Sequence, residues 1–240
     1  SASASEIFAA AMQDYNRAVI IGSKESFGKG TVQNVLPLNN YFKYDKDLGA
    51  LKMTIQKFYR INGGSTQLEG VKSDVVVPDR YSYIDIGEKD QENPLAWDKI
   101  DPVRYDLWNS YFDYDVTIKK SNERMQNSEQ LKLIDENAQW IKKIRDRTVF
   151  SLNYDSYRSN LEKNEDESKR FEKLADYKTD LEFKSLPYEI ALMEKDSVLK
   201  LKRERWHESL SKDVYMEEAL NVLNDLKMTY GIKKVASIKD

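Results

Sequence analysis

"SASASEIFAAAMQDYNRAVIIG", residues 1–22, sets three serines at alternate positions before an alanine-rich apolar run, then closes on a short aliphatic run and a glycine. Ile7 with Ala11, and Phe8 with Met12, stand at i,i+4 spacing, as one face of a helix over 5–15 requires. Ser3 with Glu6 fits the S-x-x-E spacing of a capping box at its start. Asn16 suits a left-handed C-cap. "AVIIG" at 18–22 lacks alternation, which predicts a short strand covered on both faces. A helix delivering the chain into such a strand is the signature of an α/β layer.

Working outward, "KGTVQNVLPL" and "GALKMTIQKFYRI" read as further β segments, "NGGST" at 62–66 as a turn, and "VVV" at 75–77 as the close of this part. Beyond about residue 118 the periodicity changes. Leu131, Ile134, Ala138, Ile141 and Arg145 step by three and four along a helix. The stretch 161–180 is highly charged with Leu161, Phe171 and Leu174 as sparse apolar points, and 216–230 is a further amphipathic helix. The expected organisation is α/β over 1–80, an aromatic-rich connector over 81–118, and a helical domain over 119–240.

Composition narrows the function. At 240 residues the chain has room for a sizeable core. A net charge of −3 lacks the basic balance of a nucleic-acid-binding surface. No apolar run approaches the roughly 20 residues of a membrane-spanning helix. The absence of cysteine removes disulfides and thiolate metal sites. The opening "SASAS" has no basic n-region, so it is not a signal peptide. Beginning without Met and one step before a helix cap, the sequence reads as a piece of something longer.

Catalytic chemistry, if present, has few residues to use. Small residues crowd Ser3, leaving space for a close backbone approach, and a helix N-terminus favours developing negative charge. A serine nucleophile needs a base. The single histidine, His207, lies in the charged run "KRERWHESL" and reads as a surface residue. Lysine serves instead when neutral, which means lowering its ordinary pKa of about 10.4 to roughly 7–8. Lys29 lies between Gly28 and Gly30 after Phe27, as a lysine threaded into a tight apolar site would. If 30–36 is a strand, Gln33 faces the same side and accepts from the amine. Lys24 reads as solvated.

These stretches, "SASASEIFAAAMQDYNRAVIIG…SFGKGTVQ", resemble the catalytic region of the carboxy-terminal processing, or tail-specific, proteases. The likeness continues through "FYRINGGSTQLEGVKSDVVVPD" at 58–79. The helical remainder is similar to the extended C-terminal region of the larger periplasmic members. The resemblance implies the C-terminal part of a crotonase-like α/β serine protease domain, with Ser3 as nucleophile, Lys29 as base and Gln33 orienting it. It implies no cofactor and no metal. It also implies hydrolysis near the C-termini of protein substrates with exposed tails and a periplasmic or cell-envelope location; a helical 119–240 acting independently would dock an adaptor protein or shape a substrate chamber. Two departures stand out. The loop before Lys29 is one residue longer than usual, and Asn16 replaces a common glycine. Asp14 matches an acidic residue associated with the site. Eleven helical residues span about 16 Å, so it supports structure rather than touching Ser3. Family members carry a PDZ domain and the main oxyanion glycines upstream, so the resemblance implies that this stretch alone is inactive. The competing reading is a non-catalytic helical binding or scaffolding module.

Overall fold

A computed structural model describes residues 2–108 and 112–237, with side chains to 228. Residues 109–111 of the expected connector lie outside the described residues. Two compact units emerge, one from Ser1–Val76 and Ile84–Ser110, the other from Val77–Tyr83 and Tyr111–Asp240.

The first unit opens with helix α1 (Ala4–Asp14). It ends as the sequence predicts. Asn16 takes φ 57°, its N–H donates to Gln13 O at 3.0 Å, and Arg17 N–H reaches back to Met12 O at 2.7 Å. The buried side of α1 differs from the expectation. Ala10 and Glu6 are buried, whereas Ile7 and Phe8 are 44% and 67% exposed. The apolar stripe is present but faces away from the unit, because Glu6 is drawn inward by hydrogen-bond donors described below.

Strand β1 (Ile21–Gly22) pairs in parallel with β4 (Val75–Val76), in register Ile21 with Val75. The run 18–22 is half-buried rather than covered on both faces, and only its last two residues are laddered. Strand β2 (Thr31–Pro37) pairs antiparallel with β3 (Ala50–Lys57). The register slips once: Val32 opposes Gln56 but Gln33 opposes Thr54. Ile55 is the extra residue of this bulge, which bends the ribbon where it leaves the 28–30 loop.

An ion pair inside this unit locks the C-terminal end of α1. Arg60 Nε donates to both Asp14 oxygens at 3.1 and 3.0 Å, and its Nη2 donates to Asp14 Oδ1 at 2.5 Å and Gln13 Oε1 at 3.0 Å. A bidentate guanidinium–carboxylate pair fixes geometry as well as charge. Asp14 therefore has a structural partner, in keeping with its distance along α1 from Ser3.

The second unit is helical: α2 (Tyr114–Asn127), α3 (Glu129–Arg145), α4 (Tyr154–Lys169), α5 (Pro187–Met193), α6 (Ser197–Leu210) and α7 (Val214–Ser237). Asp113, Ser128, Asn153 and Asp196 each cap a helix through the side chain. On α3, Leu131 and Ala138 are buried, as the three-and-four spacing requires. Helix α4 stops at Lys169, short of the charged run's end, and Phe171 turns inward with its ring 5.7 Å from that of Trp140. Helix α7 buries Val214, Glu218 and Val222. Glu218 is tolerated there because Ser121 Oγ donates to it at 2.6 Å and Arg124 Nη2 at 2.7 Å, both from α2. The combination is strand-bearing chain followed by mostly helical chain.

Candidate active site

Ser3 is the N-cap residue of α1, with φ 56° and ψ −114°. L-residues avoid this region at a cost of about 1–3 kcal/mol, and such conformations concentrate at functional sites. Its carbonyl accepts the Glu6 and Ile7 N–H groups at 2.9 and 3.0 Å. No first-turn amide is bonded to its hydroxyl. Ser3 therefore caps the helix through its backbone carbonyl. The return half of the capping box is intact, with Ser3 N–H donating to Glu6 Oε2 at 2.7 Å.

Glu6 does more than its spacing implies. Glu6 is 1% exposed, and its carboxylate accepts from four groups. Oε2 takes Ser3 N–H and, at 3.0 Å, Lys29 N–H. Oε1 takes Gly28 N–H at 2.7 Å and the Ser26 hydroxyl at 2.5 Å. A buried carboxylate demands such satisfaction, and here it joins the start of α1 to the 26–29 loop. Ser26 Oγ in turn accepts Val71 N–H at 2.8 Å.

The loop's glycines are required by space. Gly28 sits at φ 89°, and a Cβ there would lie 3.0 Å from Leu68 C. At Gly30 a Cβ would lie 2.7 Å from Gln67 N. The backbone is pinned on both sides of Lys29: Leu68 N–H donates to Gly28 O at 2.8 Å, and Phe58 N–H to Gly30 O at 3.1 Å.

Lys29 Nζ donates to Gln33 Oε1 at 2.7 Å. Lys29 itself precedes the ladder, which begins at Thr31. Four residues of straight strand would separate the two Cα atoms by about 13 Å. Both side chains are long, and together they close that span to a 2.7 Å contact. The structure thus brings Lys29 to Gln33 directly, and Lys29 to Ser3 through their shared backbone acceptor. His207 lies on α6, in the other unit. Among the described residues, no group of three or more His, Asp or Glu side chains is arranged to hold a metal ion. Nor, among them, is any helix long and apolar enough to cross a membrane.

Sequence reasoning used Glu6 only as a cap partner. The S-x-x-E spacing signals its bond to Ser3. Nothing local signals Ser26, Gly28 and Lys29, which arrive from 20 or more residues away.

Comparison with known proteins gives this geometry a context. Residues 81–228 match the family described as the C-terminal domain of tail specific protease, and residues 1–77 match peptidase family S41. The chain is 45% identical over 181 residues to a tail-specific protease of Haemophilus influenzae, covering 72% of this chain and 25% of that protein. It is 44% identical over 90 residues to a carboxy-terminal-processing protease of Bartonella bacilliformis, covering 36% of this chain and 19% of that protein. The chain thus spans about a quarter or less of the length of these relatives.

Proposed function

Because this chain belongs to the tail-specific protease family, we propose that it carries the nucleophile and base of a peptidase acting near the C-termini of protein substrates. Ser3 is the nucleophile, Lys29 the general base, and Gln33 the residue that orients the amine. One observation carries this reading: a single buried carboxylate, Glu6, holds the backbone of Ser3 and of Lys29 on the same oxygen. The left-handed Ser3 at a helix start, as at a strained nucleophile turn, adds support.

In this reaction Ser3 Oγ attacks the scissile carbonyl carbon while the neutral Lys29 amine takes the hydroxyl proton. The ammonium then protonates the leaving amine as the C–N bond breaks. Water, giving its proton to the same amine, attacks the acyl ester; the tetrahedral adduct collapses with cleavage of the acyl C–Oγ bond, the ammonium returns the proton to Ser3 Oγ, and the carboxylic acid product leaves. Negative charge on the tetrahedral oxygen develops beside the N-terminus of α1, whose dipole favours it.

Residues 1–80 are proposed as the C-terminal part of a crotonase-like catalytic domain, 81–118 as a connector, and 119–240 as a helical domain. Full turnover requires polypeptide beyond this chain, since losing even one oxyanion donor lowers rate about 100- to 1000-fold. An adaptor protein and a periplasmic or envelope location belong to the same proposal.

The test is labelling of Ser3 by a fluorophosphonate in a polypeptide that contains this chain and its upstream protease segment. Lys29→Ala and Lys29→Arg should each abolish labelling and peptide hydrolysis with the fold retained, since a guanidinium does not deprotonate. Unlabelled Ser3 together with tight binding of a helical partner would favour the scaffolding reading instead.

A further inference from the structure

Three consecutive amides, Gly28, Lys29 and Gly30, all donate to buried side chains from elsewhere in the chain. Glu6 takes the first two. The third goes to Gln67, whose Oε1 accepts Gly30 N–H at 2.9 Å. Gln67 is 0% exposed. Its carboxamide is used at both ends, because Nε2 donates to Leu95 O at 2.9 Å and lies 3.4 Å from Glu88 Oε1. Leu95 and Glu88 belong to the segment after the catalytic stretch. That segment clasps the same loop at two more points: Glu88 N–H donates to Phe27 O at 2.7 Å, and Lys89 pairs with Glu25.

We infer that Gln67 is a positioning residue for Lys29, transmitting the placement of the 87–95 segment to the base through Gly30. This rests on the proposed role of Lys29. A carboxamide suits the task because it accepts and donates simultaneously from a rigid, planar group. Its burial makes both bonds obligatory, since breaking either strands a polar group away from water. Glu6 fixes the loop on its nucleophile side and Gln67 on its strand side. Lys29 is thereby held from both sides by its neighbours' amides, leaving the side chain free to reach Gln33. A displacement of about 1 Å at a reacting group costs on the order of 100-fold in rate, so such support matters to the chemistry.

The experiment compares Gln67→Met, which keeps volume but loses both bonds, with Trp97→Phe. The latter removes the indole bond to Ser65 O (3.0 Å) just beyond that segment and leaves both ends of the Gln67 carboxamide bonded. In this chain, isotope-labelled lysine NMR follows the Lys29 amine titration, and hydrogen exchange follows Gly30 N–H. Gln67→Met should speed Gly30 exchange at least about tenfold and displace the Lys29 titration, while Trp97→Phe leaves both in place. Where Ser3 reacts with a fluorophosphonate, Gln67→Met should also slow labelling about 100-fold. Should Gln67→Met not fold, Gln67→Glu decides. Buried against Glu88, its carboxyl ionises only at raised pH; once ionised it cannot donate to Leu95 O, so the Lys29–Gln33 contact should be lost at high pH and restored on acidification. A folded Gln67→Met with Gly30 exchange and Lys29 titration unaltered, or a Gln67→Glu whose Lys29–Gln33 contact is the same at high and low pH, overturns the inference. Absence of Ser3 labelling in the unsubstituted polypeptide that includes the upstream protease segment bears on the proposed function alone, because the amine titration still reads Gln67.

Discussion

Ser3 and Lys29, 26 positions apart in sequence, donate their backbone N–H groups to one atom, Glu6 Oε2, at 2.7 and 3.0 Å. The companion oxygen takes Gly28 N–H and the Ser26 hydroxyl. Glu6→Gln leaves one acceptor oxygen and turns an NH₂ group against N–H donors. Hydrogen bonds to a buried charge contribute about 1.5–3 kcal/mol each, so the substitution should cost about 3 kcal/mol. Urea unfolding followed by tryptophan fluorescence measures it. Stability unchanged within about 0.5 kcal/mol would show that the carboxylate does not hold the loop.

Gln33 contacts the Lys29 amine without contributing to the backbone clamp. Gln33→Ala should lower kcat about 10- to 100-fold in the complete protease while leaving KM nearly unchanged, the pattern of a group that acts in the transition state. Steady-state kinetics on a peptide substrate separate the two constants, and an unchanged kcat removes Gln33 from the site.

Gly30 and Gly49 are glycines for different reasons. A Cβ at Gly30 meets Gln67 N at 2.7 Å and Ser65 Oγ at 2.8 Å, whereas Gly49 has open space but φ 75°. Gly49→Ala should cost only the left-handed penalty of about 1 kcal/mol. Gly30→Ala should cost about 3 kcal/mol, because backbone must move. Equal melting shifts for the two variants would contradict this ordering.

The Asp14–Arg60 pair is buried on the carboxylate side, with the Asp14 side chain 6% exposed. Asp14→Asn removes the charge and leaves the Arg60 guanidinium facing a neutral group. Breaking such a pair costs about 3 kcal/mol. Chemical denaturation should show the loss, and the double substitution Asp14→Asn with Arg60→Met should recover part of it.

Tyr215 lies against Pro78, its hydroxyl donating to Pro78 O at 2.8 Å. Burial, followed by the nearby charges of Asp79 and Asp213, pushes its phenol up to about 12. A raised folded-state value means the stabilisation is complete below the ordinary tyrosine value of about 10 and is lost as pH rises from there through about 12. Tyr177 is raised as well, by burial first and then by its bond to Glu217. Helical stability should therefore fall steeply above pH 10, and Tyr215→Phe should flatten that fall. Denaturant melts monitored by circular dichroism across pH 9–11.5 check the slope; an equally steep fall in the variant contradicts the assignment.

Much of this arrangement was legible in local pattern. The i,i+4 spacing of 5–15 located α1, Asn16 announced its left-handed end, and the stripe through Leu131 and Ala138 located α3. Glycines flanking Lys29 marked a crowded loop, and their neighbours lie as close as that crowding implies. The orientation of α1 was not legible. Its apolar residues Ile7 and Phe8 point outward, because the carboxylate of Glu6 has four donors to satisfy inside. The burial of Glu218 on α7 has the same cause, since its partners Ser121 and Arg124 stand more than 90 positions away.

By itself the sequence determined α1 and α3, the turn at Asn16, and the presence of a serine at a helix start and a lysine between glycines. Those properties depend on backbone preference and side-chain periodicity within a few residues of each position. Only the tertiary structure decided that Ser3 and Lys29 share an acceptor and that Gln67 ties Gly30 to Leu95. Each of these is a polar contact between segments distant in sequence. Which donor meets which acceptor there is set by the packing that excludes water around them, and no local periodicity encodes it.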